Sequence, residues 1–255
     1  MRAAMQSLLR AIYPPGCIAC EAPVAHEHAL CGACWRDTPF VTGLACDGCG
    51  RPLPGAAGDG PAHCDDCLAR PRPWEQARAA LLYERQARRV VLRFKHGDRL
   101  DLARPAARWM TAAAQPLLRP DMLIAPVPLH WTRLLRRRYN QAALLAQGVA
   151  QATGLEHCPD LLLRPHRTAL QAGPHELRFE NIAGAITPHP RRGRRAEGRH
   201  VLLVDDVFTS GATLAVAAEA CHRAGADAVS VLALARAAGT GDDARDGVAA
   251  GARVA

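Results

Sequence analysis

Aromatic residues are scarce in this chain, 4% of the total, and that scarcity bears on one class of function at once. Unpaired bases are commonly held by stacking on aromatic rings, and few such platforms exist here. Trp35 and Trp74 are the nearest candidates in the cysteine-rich end, and packing in core or linker is the expected role of both. The chain also lacks any run of eighteen apolar residues, so no segment is expected to span a membrane. Residues 1–13 place Met5, Leu8, Leu9 and Ile12 at helical spacing, interrupted by Gln6 and Arg10. That pattern predicts a short amphipathic helix in a cytoplasmic protein, because the continuous apolar core of a secretion signal is missing. No Gly-x-x-x-x-Gly-Lys-Ser/Thr loop occurs, which excludes the nucleotide-binding loop built on it.

What is present begins with cysteine. Eight of the ten cysteines fall between residues 17 and 67, in four Cys-x-x-Cys knuckles: Cys17/Cys20, Cys31/Cys34, Cys46/Cys49 and Cys64/Cys67. Each knuckle turns two thiolates toward one cation at about 2.3 Å, and two knuckles complete a tetrahedron, so eight thiolates suit two structural Zn²⁺ ions. Disulfides need an oxidising compartment, for which the chain shows no address, and a redox Cys-x-x-Cys usually occurs once. Pairing of neighbouring knuckles and a cross-braced pairing both remain open at this point. The segment has few large apolar side chains, so zinc binding worth on the order of 10 kcal/mol is what would fold it. His26, His28 and His63 are expected at the surface, and the isolated Cys158 and Cys221 as small packing residues.

At 255 residues the chain has room for one α/β domain and a small appendage, and its formal charge of +8 suits anionic ligands. The expected division is a helix and double zinc ribbon over 1–70, an α/β domain over 74–238 and a frayed tail over 239–255, with the proline-bearing stretch 69–74 as linker. Periodicity predicts strands at 77–83, 122–128, 161–164, 201–204 and 228–234, and helices at 85–95, 102–118, 140–153 and from 213 toward 225. Strand, helix and strand recur in the order that makes a mostly parallel sheet flanked by helices, with ligands gathering at the carboxyl ends of the strands.

The stretch from Val201 to Thr213 carries the chemistry. Four apolar β-formers are followed by Asp205 and Asp206, then by Val207, Phe208, Thr209, Ser210, Gly211, Ala212 and Thr213, which lead into a helix. The turn presents successive backbone N–H groups and the open donors of a helix start, a place for a phosphate, while the two acids suit the hydroxyls of an attached sugar. Gly211 lets the backbone approach an anion closely. Plain scaffolding is the bland alternative. An acidic metal pocket of the receiver type does not fit, because only about forty residues follow the acidic strand.

All thirteen positions resemble the phosphoribosyl pyrophosphate (PRPP) motif of type I phosphoribosyltransferases. With the paired cysteines, Tyr83, the run Phe94-Lys95-His96-Gly97, the Pro126-Val127-Pro128 loop, the run Arg136 to Gln141, and the segment holding Arg167, Gln171, Arg178 and Asn181, the chain resembles the ComF family up to about residue 236. These are double-zinc-ribbon proteins with a phosphoribosyltransferase domain, linked to DNA uptake in transformable bacteria. One departure is visible: Arg138 stands where the family usually has glycine. The resemblance implies that Thr209 to Thr213 hold a 5-phosphate and that Asp205 and Asp206 hold the ribose hydroxyls and favour charge development at the anomeric carbon. It implies a pyrophosphate loop at Pro126, Val127 and Pro128, aided by Arg133 and Arg137, with Mg²⁺ bridging ligand oxygens. Arg167, Gln171, Arg178 and Asn181 would belong to a hood that excludes water. Each arginine also has a plain reading as solvated surface. Two functions therefore compete: a Mg²⁺-dependent phosphoribosyltransferase of unknown acceptor, and a non-catalytic or PRPP-regulated single-stranded-DNA-binding accessory of DNA uptake that retains the fold.

Overall fold

A computed structural model of the chain describes residues 15–56, 58, 60–96, 99–130, 139–165 and 184–237. The expected amphipathic helix at 1–13 and the tail at 239–255 lie outside them. Two short helices, α1 (Gly32–Arg36) and α2 (Asp65–Ala69), belong to the cysteine-rich part. Then follow β1 (Gln76–Leu82), α3 (Arg85–His96), α4 (Ala103–Ala114), β2 (Leu123–Pro126), α5 (Gln141–Thr153), β3 (Glu156–His157), β4 (Leu162–Leu163), β5 (Thr187–Pro188), β6 (His200–Phe208), α6 (Ala212–Arg223) and β7 (Ala228–Arg236).

Five strands pair in the order β1-β7-β6-β2-β3, every neighbour parallel. A parallel sheet is covered on both faces, so its central strands read as unbroken apolar runs. In β6, Val201 and Leu203 point into one core while Leu202 and Val204 point into the other, and all four are fully buried. On one face α3, α4 and α5 supply Phe94, Met110 and Leu145; on the other α6 supplies Leu214 and Val216. Burying each of the larger side chains contributes about 1.5–3 kcal/mol. Cys158 and Cys221 sit inside the core, as their isolation in the sequence suggested.

The cysteine-rich part straddles the free edge of β1. Phe40 bridges Leu81 in antiparallel sense, and the Val41 amide donates to Ala80 O at 3.0 Å. The Ala77 amide donates to Asp47 O at 2.6 Å, and the Arg78 guanidinium meets the Asp47 carboxylate at 2.7 Å. An exposed strand edge invites unwanted pairing, and here the ribbon covers it. Gly50, at φ +70°, lies so close to β1 that a Cβ would stand 2.9 Å from the Ala79 nitrogen. The two ribbons repeat one another: the Cys17 amide donates to Ala22 O and the Cys46 amide to Arg51 O, both at 2.7 Å.

The stretch 69–74, expected to be a linker, is anchored. Trp74 is buried, its indole N–H donates to Gly48 O at 2.9 Å, and its ring meets Phe208 edge-on at 5.8 Å. Trp35 differs from expectation in the other direction: it rests on Phe40 at 4.5 Å yet is 54% exposed. Among the described residues no helix is long and apolar enough to cross a membrane.

Candidate functional site

Among the described residues, two clusters of sulfur and a polar cleft are chemically distinctive. In the first cluster are Cys17, Cys20, Cys31 and Cys34; in the second, Cys46, Cys49, Cys64 and Cys67. The structure thus selects the pairing of neighbouring knuckles. A tetrahedron with metal–sulfur bonds of about 2.3 Å has edges of about 3.8 Å. Cys20 and Cys31 stand 3.6 Å apart, Cys46 and Cys64 3.7 Å, and Cys49 and Cys64 3.8 Å, so the donor sets fit zinc. All ten cysteines are free of disulfides.

Backbone and side-chain donors reach the sulfurs, while burial pushes Cys34 up to about 12 and Cys67 up to about 11. Cys17 accepts from the Ala19 and Cys31 amides, and Cys34 accepts from Gln86 Nε2 at 3.0 Å. Burial opposes ionisation of Cys17, but the amides of Cys31, Ala19 and Cys20 outweigh it and bring its pKa down to about 6. The first cluster joins the core beneath α3 and α4, through Cys17 and Cys34, and the second joins the core on the α6 face of the sheet. Each zinc site is therefore built into a different face.

The cleft opens at the carboxyl ends of β2 and β6, which are neighbours in the sheet. It measures about 160 Å³ and is lined by Val127, Pro128 and Leu129 after β2, by Asn140, Gln141 and Ala142 at the start of α5, and by Lys95, Arg164, Asp205, Asp206 and Thr213. The strand β6 runs on through both acids to Phe208, farther than the four apolar residues alone suggest, because Asp205, Val207 and Phe208 continue the register with Ala233, Ala235 and Arg236 of β7. The Asp206 amide donates to Asp205 Oδ1 at 2.8 Å, and Lys95 Nζ meets Asp206 Oδ1 at 3.0 Å. Desolvation first, and the Asp206 charge second, push the Asp205 pKa up to about 7 against the pull of the Asp206 amide, Lys95 and Arg164. Burial and the neighbouring carboxylate thus outweigh the two cations that face the pair.

Asn140 shapes the opposite wall. Its side chain caps α5 by accepting from the Ala142 amide at 3.0 Å and donates to Val127 O at 3.1 Å, tying helix start to loop. Such a cap is worth about 1 kcal/mol. Tyr139 donates its hydroxyl to Phe94 O at 2.8 Å, and the fully buried Gln141 reaches toward Lys95 O at 3.5 Å. The run Tyr139-Asn140-Gln141 thus holds both the loop after β2 and the end of α3 that carries Lys95.

Residues 8–68 match the double zinc ribbon domain. The chain is 32% identical to the DNA utilization protein YhgH of Salmonella typhi over 231 residues, which cover 87% of this chain and 97% of that one. Competence protein F of Haemophilus influenzae is 29% identical over 228 residues, covering 87% and 96%, and competence protein ComFC of Bacillus subtilis 27% over 199 residues, covering 75% and 77%. The chain belongs to the ComF family. Among solved structures, the glutamine PRPP amidotransferase of B. subtilis complexed with ADP and GMP is 20% identical with a TM-score of 0.37, over 55% of this chain and 30% of its own. So slight an overlap carries no argument.

Of the site residues expected from the sequence, Val127, Pro128, Asp205, Asp206 and Thr213 come together in the cleft, with Pro126 ending β2 beside them. Thr209 is exposed at the turn, while Gly211 and Ala212 are buried in it. Gly211 has φ +83°, and a Cβ there would lie 2.8 Å from the Phe208 ring. Phe208 is fully buried and Val207 is partly buried against the core. Arg133, Arg137, Arg138, Arg167, Gln171, Arg178 and Asn181 lie outside the described residues. The sequence reading assigned no role to Lys95 and Arg164. For Lys95 a signal existed: it follows Val91 by four residues on the apolar face of α3, where a lone cation is out of place unless something anionic meets it.

Proposed function

We propose that the cleft binds a phosphorylated ribose bearing pyrophosphate, PRPP, and that the protein is a phosphoribosyltransferase. The observation that carries this reading is the acidic pair at the end of a central parallel strand, facing Lys95, Arg164 and the loop after β2 across a small polar cleft. At about 160 Å³ the cleft suits a pentose and is smaller than the ~300–1,000 Å³ that engulfs a drug-sized ligand.

In this reading the Thr209–Thr213 turn takes the 5-phosphate on its amides and on the donors that open α6. Asp205 and Asp206 accept hydrogen bonds from the ribose hydroxyls, and their charge stabilises the positive character that develops at the anomeric carbon as its bond to pyrophosphate breaks. Lys95 and the α5 start, with Arg164, receive the departing pyrophosphate. The carboxylate pair is the hard-oxygen donor set that Mg²⁺ uses with phosphates, and the upward-shifted Asp205 marks a place where added positive charge is favourable. Mg²⁺ there would neutralise the leaving group. The acceptor attacks the anomeric carbon and its proton passes to water or to the released pyrophosphate.

The names of the relatives, which speak of DNA utilization and competence, together with the charge of +8, favour a DNA-linked role and single-stranded DNA or DNA-uptake proteins as partners. Eight thiols kept for metal suit the reducing cytoplasm. Titration calorimetry with PRPP and Mg²⁺ tests the central reading. One site per chain is expected, weakened at least tenfold by Asp205→Asn with Asp206→Asn; a folded, zinc-loaded protein that takes up no PRPP would sink it. Salt dependence of single-stranded DNA binding tests the partner, since phosphate contacts make affinity fall steeply with salt.

A further inference from the structure

The second sulfur cluster shares one buried core with Trp74 and with Phe208 of the turn that follows the acidic strand, and two arginines interact with both cluster and turn. Arg236, at the end of β7, is 5% exposed. Its Nη1 donates to Phe208 O at 3.2 Å and to Thr209 O at 3.0 Å, and its guanidinium stacks over the Phe208 ring at 4.7 Å. Arg72, from the anchored stretch before β1, donates Nη1 to Ser210 O at 3.1 Å and lies over Trp74. Both also face the cluster: Arg236 interacts with Cys49 and Arg72 with Cys67. Three consecutive carbonyls of the turn, those of Phe208, Thr209 and Ser210, are thereby held by the two arginines, that of Phe208 jointly with the Ala237 amide.

A trans peptide plane sets C=O and the following N–H on opposite sides. With those carbonyls turned to the arginines, the N–H groups of Thr209, Ser210 and Gly211 face away from them, where an anion would be bound. The charges also match. Four thiolates around a divalent cation retain two negative charges, and two guanidinium groups meet them. A buried cation needs such a partner, because an unpaired one is costly.

We propose that Arg72 and Arg236 are positioning residues that couple the Cys46/Cys49/Cys64/Cys67 metal site to the phosphate turn, so that an intact metal site sets the orientation of the anion-binding amides. The proposal rests on the reading that this turn holds a phosphate. In that case the second zinc site does more than fold the ribbon: the state of its thiolates reaches the ligand through two side chains. Linkage makes the coupling reciprocal, so ligand on the turn must also make the thiolate site harder to dismantle.

The test uses the full zinc-loaded chain, wild type, Arg72→Gln and Arg236→Gln, with ribose 5-phosphate as probe. Zinc content and melting behaviour are checked first, then affinity by calorimetry, then the rate at which a chromogenic chelator extracts zinc with and without ribose 5-phosphate. Wild type is expected to bind the probe and to release about one of its two zinc ions more slowly when the probe is present. Each variant is expected to keep both zinc ions, to bind roughly tenfold more weakly, and to lose the protection. Asp206→Asn is the contrast, weakening binding while leaving zinc release without ligand unchanged. A wild type that binds no ribose 5-phosphate overturns the phosphate reading and this proposal with it. If wild type binds but both variants match it in affinity and in protected zinc release, the proposal alone fails. Arg72 is partly exposed, so its variant decides the matter if Arg236→Gln does not fold.

Discussion

Replacing Asp205 with asparagine tests the electrostatics of the cleft without any assumption about an acceptor. Its carboxyl is raised from an ordinary 3.8 to about 7. At ~1.4 kcal/mol for each pH unit, that gap represents ~4 kcal/mol against the charged form. Between those two values the folded chain holds a proton that the unfolded chain has released. Stability from this group is therefore complete below pH 4, falls as pH rises, and has been lost once pH passes about 7. Asparagine fills the same volume, stays neutral and escapes the loss. In the absence of ligand, Asp205→Asn should melt above wild type at pH 8, by on the order of 10 °C at ~2–4 °C per kcal/mol for a chain of this size. The gap should shrink steadily toward pH 5. Thermal melts of both proteins with excess zinc across pH 5–8 read this directly, because the pH dependence of zinc binding itself is common to both. The gain should be paired with weaker ribose 5-phosphate binding at pH 8, since the amide does not replace a charged acceptor. A variant no more stable than wild type at pH 8, or a gap that does not change with pH, would refute the reasoning.

Four other variants probe separate parts of the cleft and its support. Lys95→Met removes the cation 3.0 Å from Asp206 in a pair whose side chains are only 19% and 13% exposed; a loss of about 1–3 kcal/mol in chemical denaturation is expected, with PRPP affinity down at least tenfold in calorimetry. Gly211→Ala forces a Cβ onto a residue at φ +83° and against the Phe208 ring; about 2–4 kcal/mol of stability should go, read by thermal melts, along with phosphate binding. Cys49→Ala and Cys20→Ala should each lower elemental zinc from about two ions per chain to about one. The first, at a residue packed with Trp74 and Phe208, should also abolish ribose 5-phosphate binding, while the second, at an exposed cysteine, should spare it.

Local periodicity made much of the fold legible. The apolar run Val201 to Val204 announced a strand buried on both faces, and Val90, Val91 and Phe94 announced the inner face of α3, because each pattern lies within one element. Boundaries were read less well where pairing, not composition, decides them. β6 extends through two aspartates because β7 continues beside it, and the polar pair Glu156–His157 forms β3 only because β2 offers an edge. The four knuckles announced two tetrahedral sites, but not that the sites would straddle the edge of β1 and enter opposite cores. Arg72 was read as part of a linker; its partner Ser210 is distant in sequence, and no local pattern encodes such a contact. In the cleft, Asp205 and Asp206 were legible from their place at a strand end, whereas Lys95 and Arg164 reach them only through the tertiary fold.

The central claim is that one cleft holds the ribose and its phosphates, and a crystal structure of the protein grown with PRPP and Mg²⁺ tests it most directly. The account predicts the 5-phosphate on the amides of Thr209–Thr213, the ribose hydroxyls on Asp205 and Asp206, and pyrophosphate between Lys95 and the loop at Val127 and Pro128. PRPP bound elsewhere, or a cleft without ligand at saturating concentration in crystals that leave it open, would contradict the account.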